Sequence, residues 1–263
     1  MFHLDSTYKI TKNSYPLLIF GVSDVNRKCF LLAAFIVSQT TAEMVKHCIS
    51  PLQSTAANLV PDLIRWTPDY VMSDADPAHL NAVTACFGIN VRFLFCFFHL
   101  KKNVRDRTKS LSKALYNEVM ADINVLHLCR TEANFETRWT EIKQKWEATP
   151  TLVAFTTYFE LHWIRSPFAK WQCFWSPMGY AKTNNPIEVL NSDLKKTYTL
   201  RKRLSIKDTL LTLQGMIKTE STIHMTTQVA ERPGTVKRFK KIGKDLYHQG
   251  ILVVTEAGGR YML

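Results

Sequence analysis

The sequence predicts an α/β fold, a mixed five-stranded sheet with flanking helices and an inserted all-helical lobe. Three observations point to it. Three apolar runs follow one another before residue 40, joined by links too short for a helical crossover, so they pair as antiparallel hairpins. Two later strand-like runs are separated by helical segments, which demands parallel pairing and right-handed crossovers. Five of the six tryptophans then fall between residues 110 and 177, in a stretch without strand-like runs.

In chain order, Phe2 to Ile10 reads as the first strand, closed by the turn-rich Thr11-Lys12-Asn13-Ser14. Leu17 to Val22 and Phe30 to Ser38 are the second and third, with Ser23-Asp24-Val25-Asn26 supplying hairpin chemistry between them. All three are apolar with little alternation, as expected for strands covered on both faces. Thr41-Ala42-Glu43 opens a helix carrying Met44, Val45, Cys48, Ile49 and Leu52, which Pro51 should kink or end early. Tyr70 to Met72 is a short fourth strand ending at Ser73-Asp74, and Asp76-Pro77 starts a helix with Asp76 as N-cap. Val91 to Phe97 is the fifth strand, and a basic helix follows from about His99. Three antiparallel strands continued by parallel ones is the ribonuclease-H-like plan, which alone says little about function.

Further on, Phe135, Trp139, Ile142 and Trp146 step by four, three and four along one helix face, and Phe155, Phe159 and Trp163 repeat the pattern. The expected organisation is a first part of the sheet core over residues 1–109, a helical insertion over 110–178, completion of the core over 179–230, and a basic tail over 231–263. The tail ends in a short hairpin from Ile251 to Leu263 with Glu256-Ala257-Gly258-Gly259 at its turn.

A chain of 263 residues with 46% hydrophobic content can bury one large core, or one core with an inserted lobe. Its six cysteines lie far apart, which suits a reducing compartment better than a disulfide framework. No secretory signal opens the sequence, and its longest apolar runs are too short to span a bilayer, so a soluble intracellular protein without membrane partners is expected. The formal charge of +12 favours polyanionic partners, nucleic acid ahead of membrane surface. One basic cluster holds Lys101, Lys102, Arg105, Arg107 and Lys109, and a second holds Lys195, Lys196, Arg201, Lys202 and Arg203. A third, from Arg232 to Lys244, is equally readable as a solvated tail.

Three carboxylates stand where chemistry could use them. A two-metal phosphoryl-transfer site needs carboxylates converging from separate elements to hold two divalent cations roughly 3.5–4 Å apart, and carboxylate oxygens suit Mg²⁺ or Mn²⁺. Asp5 lies inside an apolar strand, where a carboxylate is costly unless paired or on metal, although an edge position in water would explain it equally. Asp74 ends a strand at the carboxyl edge where open α/β sheets place ligands; otherwise it is a turn residue. Glu188 follows Asn185-Pro186-Ile187, which reads as a helix start with Asn185 as N-cap and Glu188 at N3 of a capping box, so it could be purely structural. Cys96 and His99 have ligand-like spacing, but no second pair completes a four-ligand set, and zinc is disfavoured.

At these residues the chain resembles the catalytic domain of Mutator-like (MULE) transposases. The matching stretches are LDSTYK at Asp5, PLLIFGVSDVNRKCF from Pro16, SDADPAHLNAV around Asp74, CFFHLKKNVR from Cys96 and TNNPIEVLNSDLKK around Glu188, in the family's order from Phe2 to about Tyr198. The resemblance implies a metal-binding catalytic triad of Asp5, Asp74 and Glu188, a Cys-x-x-His element at Cys96 and His99, and a helical domain inserted before the glutamate. It implies Mg²⁺-dependent cleavage of transposon ends by water, then attack of the freed 3′-hydroxyl on target DNA, in the nucleus, with room for a homo-oligomer. Lys101, Lys102, Arg105, Lys195, Lys196, Arg201 and Arg203 are then the expected DNA contacts, and Trp171 and Trp175 the candidates for stacking on an unpaired base. Family members usually carry a zinc-binding recognition domain and often a terminal zinc knuckle. Neither is legible here, which suggests a truncated copy, or an inactive basic DNA-binding or regulatory derivative.

Overall fold

The computed structural model describes residues 1–59, 66–222, 255–257 and 260–262. Strands β1 (Phe2–Thr7), β2 (Leu17–Ser23) and β3 (Cys29–Ile36) come first, followed by α1 (Ala42–Leu59), β4 (Tyr70–Ser73), α2 (Pro77–Phe87), β5 (Arg92–Phe95) and α3 (Phe97–Arg107). Spatially the strands run β3-β2-β1-β4-β5. Pairs β3/β2 and β2/β1 are antiparallel, while β1/β4 and β4/β5 are parallel. This is a mixed five-stranded sheet with flanking helices, compatible with the ribonuclease-H-like plan.

The side-chain period of two sorts the sheet into two faces. Phe2 and Leu4 of β1 join Leu18 and Phe20 of β2 in a large cluster with α1 and α2. Leu17 and Ile19 face the other way, into a second cluster with Ile187, Leu190, Leu194, Leu213 and Met216. On β1 the alternate positions facing that second side are His3, Asp5 and Thr7, all buried and all polar. Strand β1 is therefore apolar on one face only, and the polar face is where the site lies.

Three expectations about these elements need correction. Strand β1 ends at Thr7 rather than Ile10, because Lys9 takes a left-handed φ of 65° and turns the chain out of the ladder. Ile10 is nevertheless fully buried, and Thr11 bridges to Leu204. Strand β3 is not covered on both faces: it is an edge strand, mostly half-buried, with Leu32 exposed. Helix α1 runs through Pro51 to Leu59. Pro51 is exposed, and buried Val45, Cys48 and Ile49 before it and half-buried Leu52 after it all pack on the large cluster, so tertiary contacts hold both sides of the proline.

Between α3 and residue 184 the described elements are all helical: α4 (Lys113–His127), α5 (Glu132–Glu147), α6 (Val153–Phe159) and short 3₁₀ and π turns. Phe135, Trp139, Ile142 and Trp146 are the buried residues of α5. Their core is continuous with that of the sheet, since one apolar cluster reaches from Phe2 to Trp171. Helix α7 (Asn185–Asp193), a π-helical turn over Leu194–Tyr198, and α8 (Ile206–Glu220) follow. Further on, β6 (Thr255–Ala257) pairs antiparallel with β7 (Arg260–Met262). Glu256 and Ala257 are thus strand residues rather than turn residues, and the basic run from Arg232 to Lys244 lies outside the described residues.

The register of β2 against β3 shifts between Phe20 and Gly21, and a Cβ at Gly21 would stand 2.7 Å from Cys29 Sγ and 3.1 Å from the Phe30 carbonyl oxygen. The same Cβ would touch Ile187 Cδ1 at 3.7 Å, on the helix that carries Glu188. Gly21→Ala is expected to destabilise the chain by about 1–3 kcal/mol, the usual cost of overpacking. Urea unfolding checks this, and an unchanged midpoint would mean the irregular β2/β3 pairing opens without strain.

Candidate functional site

The parallel strands set the site by register alone. Phe2 pairs with Val71 and His3 with Met72, so two more rungs bring Asp5 level with Asp74. Ser73 pairs with Phe95, so the next rung brings Asp74 level with Cys96, and Cys96 N–H indeed donates to the Ser73 carbonyl at 2.9 Å. Adjacent strands lie about 4.8 Å apart. Asp5, Asp74 and Cys96 therefore stand side by side at the carboxyl edge of three neighbouring strands.

Helix α7 supplies the other half. Asn191 Nδ2 donates to Asp5 Oδ2, and Glu188 lies one turn earlier on the same helix. Asn184, fully buried just before α7, holds the helix start in place. Its Nδ2 donates to the Leu4 carbonyl at 3.3 Å, and its Oδ1 lies 2.8 Å from His3 Nδ1. Because an amide oxygen only accepts, His3 Nδ1 is the donor. Burial pushes the His3 imidazole down to about 4, so it is neutral and its Nε2 accepts from Ser23 Oγ at 2.8 Å.

Glu188 is not a capping-box residue. The helix begins one residue earlier than expected, with Asn184 at the N-cap and no side-chain cap bond, which moves Glu188 beyond N3. Its Oε1 lies 3.5 Å from Cys96 Sγ and 3.5 Å from His99 Nδ1. Cys96 is itself the N-cap of α3, and its thiol is pushed up to about 12 by burial and by the Glu188 carboxylate.

The carboxylates differ sharply in electrostatic setting. Burial, then the charges of Asp74 and Glu188, push Asp5 up to about 7. Burial also acts to raise Asp74, but the hydrogen bond and charge of His79 outweigh it, and Asp74 lies below the ordinary carboxylate range. His79 is fully buried, with Nδ1 at 2.7 Å from Ser73 Oγ and 3.5 Å from Asp74 Oδ1, and Nε2 at 3.1 Å from Ser6 Oγ. Ser73 Oγ donates to Asp74 Oδ1 at 3.2 Å.

A divalent cation fits this set on chemical grounds. The charges of Asp74 and Glu188 raise the proton affinity of Asp5, and the buried Asn191 Oδ1 beside Asp5 has no hydrogen-bond partner among the described residues. Both conditions are relieved by positive charge among hard oxygen donors.

Of the remaining candidates, Lys102, Arg105, Lys196, Arg201 and Arg203 are exposed, and Lys101 and Lys195 are half-buried. Lys195 and Lys196 sit on the π turn that continues α7, and burial lowers Lys195, which lies near Asp5. Lys101 Nζ lies 4.9 Å above the Phe97 ring. The two tryptophans separate. Trp171 is 2% exposed, stacked with Phe97 and donating from Nε1 to the Trp163 carbonyl, so no face of its ring is open to a base. Trp175 is half-buried beneath Lys170 and keeps that candidacy. His79, Asn191 and Asn184 were not foreseen. Only Asn191 left a trace in the sequence, three residues after Glu188 and so on its helix face.

The raised Asp5 value has a consequence for stability. The folded state holds this proton to a higher pH than the unfolded state, so its contribution is complete below the ordinary value of 3.8 and lost as pH rises to about 7. Asp5→Asn should remove that decline and stabilise the metal-free protein by up to about 4 kcal/mol at about pH 8. Denaturation at a series of pH values with chelator present reads this directly; parallel profiles for the two proteins would contradict the assignment.

No curated protein matches the chain. A family model, that of the MULE transposase domain, does match over residues 1–103, so the stretch that holds Asp5, Asp74, Cys96 and His99 is similar to that domain.

Proposed function

We propose that the chain is a transposase-like catalytic domain for metal-dependent DNA cleavage and strand transfer, with Asp5, Asp74 and Glu188 holding two Mg²⁺ or Mn²⁺ ions. The observation that carries this reading is the level placement of Asp5 and Asp74 on adjacent parallel strands, with both Asp74 and Glu188 acting electrostatically on Asp5. When bound, the ions supply positive charge that stabilises the attacking and leaving oxygens of a phosphodiester. The chain's own residues prepare their seat. Asp74 is held ionised by His79 and Ser73, Asp5 is oriented by Asn191, and Glu188 is presented by a helix fixed through Asn184. The helical stretch from residue 110 to 178 is read as a lobe inserted before the glutamate and covering one side of the site.

The substrate of this reading is DNA, both transposon ends and target, and the location nuclear. Lys101, Lys102 and Arg105 on α3, and Lys195, Lys196, Arg201 and Arg203 beyond α7, follow β5 and the glutamate helix in the chain and are read as the groups that neutralise phosphates. Trp175 is the residue proposed to stack on an unpaired base, a contact worth about 1–3 kcal/mol.

Incubation with DNA and Mg²⁺ or Mn²⁺ tests the proposal. The wild-type chain should cleave and Asp74→Asn should not, while both bind DNA with affinity falling steeply in salt. Replacing Lys195 and Lys196 together by alanine should reduce the log–log salt slope by about 2. Binding with this salt dependence but no wild-type cleavage would instead identify a non-catalytic DNA-binding derivative.

A further inference from the structure

We propose that Cys96, His99 and Glu188 form a second kind of metal site, for one borderline-soft divalent cation of the zinc class. The site shares Glu188 with the carboxylate reading but does not depend on that reading's being right.

The geometry carries the inference. Sγ of Cys96, a ring nitrogen of His99 and a carboxylate oxygen of Glu188 lie within 4.8 Å of one another. Glu188 Oε1 stands 3.5 Å from both Sγ and Nδ1. Zinc bonds to sulfur, nitrogen and oxygen at tetrahedral angles place such donor pairs about 3.4–3.6 Å apart. Two of the three donor pairs already have the spacing that an ion between them would require, and the third pair lies within 4.8 Å.

The surroundings agree. His99 Nδ1 is buried and has no hydrogen-bond partner among the described residues, which a ligated nitrogen would explain. Asn184 N–H donates to Cys96 Sγ at 3.2 Å and so orients the sulfur from outside the donor set. Cys96 at the N-cap and His99 in the first turn of α3 bring both donors to one helix start, while Glu188 arrives from α7. Sequence spacing supplied only the first two ligands. The third comes from a residue ninety-two positions away, which a search for a second Cys/His pair cannot find. Sulfur selects against Mg²⁺ and for zinc-like ions, and three protein ligands leave a fourth position for water or a substrate oxygen.

The rival is a plain hydrogen bond from the Cys96 thiol to Glu188 with no ion. Titrating the full chain, reduced and stripped of metal, with Co²⁺ distinguishes them. The expected result is one equivalent that brings a near-ultraviolet sulfur-to-cobalt charge-transfer band, which Zn²⁺ removes by displacement. Cys96→Ser should lose the band, and His99→Ala should keep the thiolate yet weaken binding by about tenfold or more. If Cys96→Ser does not fold by circular dichroism, His99→Ala and Glu188→Gln decide through affinity. No band in the wild type, or a band that survives Cys96→Ser or is unweakened in His99→Ala, overturns the proposal. Asp5→Asn should retain the band. A cobalt band without DNA cleavage supports this site and sinks the transposase reading; cleavage without the band does the reverse.

Discussion

The site depends on the burial of one carboxylate, Asp5, within a strand. An isolated ionised carboxylate is too costly to bury, so the fold around it must supply partners. It does so through the period of β1, which sends Phe2 and Leu4 into the large core and His3, Asp5 and Thr7 towards α7. Asn191 meets Asp5, and Asn184 meets both His3 and the backbone of Leu4. The polar face of β1 is thus satisfied largely by the helix region that brings Glu188. Moving the strand by one residue would put Asp5 into an apolar cluster and Leu4 against the asparagines. The register of a single strand consequently fixes the fold and the site together.

Much of this architecture can be read from the sequence because its signals are local. The crossover lengths dictate which strands are parallel, and Asp76-Pro77 marks the start of α2, where Asp76 does accept from Ala78 N–H at 2.8 Å. Pattern alone failed where tertiary contacts decide. Pro51 carries a strong local signal against helix, but the packing of α1 on both sides of it prevails. Leu31, Ala33 and Phe35 look like a buried strand, yet edge position depends on which strands arrive later. The first strand reads as apolar with little alternation, although its His3, Asp5 and Thr7 already alternate with Phe2, Leu4 and Ser6.

Glu188 shows the limit from the other direction. Locally, Asn185-Pro186-Ile187-Glu188 satisfies the pattern of a capping box. Cap position, however, depends on where the backbone enters the helix, and Asn184 is held outside it by bonds to β1. With its first turn anchored there, α7 starts a residue early and Glu188 reaches outwards to Cys96 and His99 instead of back to its own backbone. A long-range polar contact has overridden a local one, and no reading of neighbouring residues could anticipate it.

The metal-free charge balance follows from these contacts. Two of the carboxylates have different compensating groups: His79 for Asp74, and for Asp5 a proton held to about pH 7. His79 also ties Ser6 to Ser73, so the group that compensates Asp74 spans β1 and β4. Three like charges on one sheet edge would otherwise repel at close range in a poorly solvated setting. The elements of the site are therefore tied together by the hydrogen bonds of Asn184, Asn191 and His79, and the proton that a positive charge could replace sits on one buried aspartate.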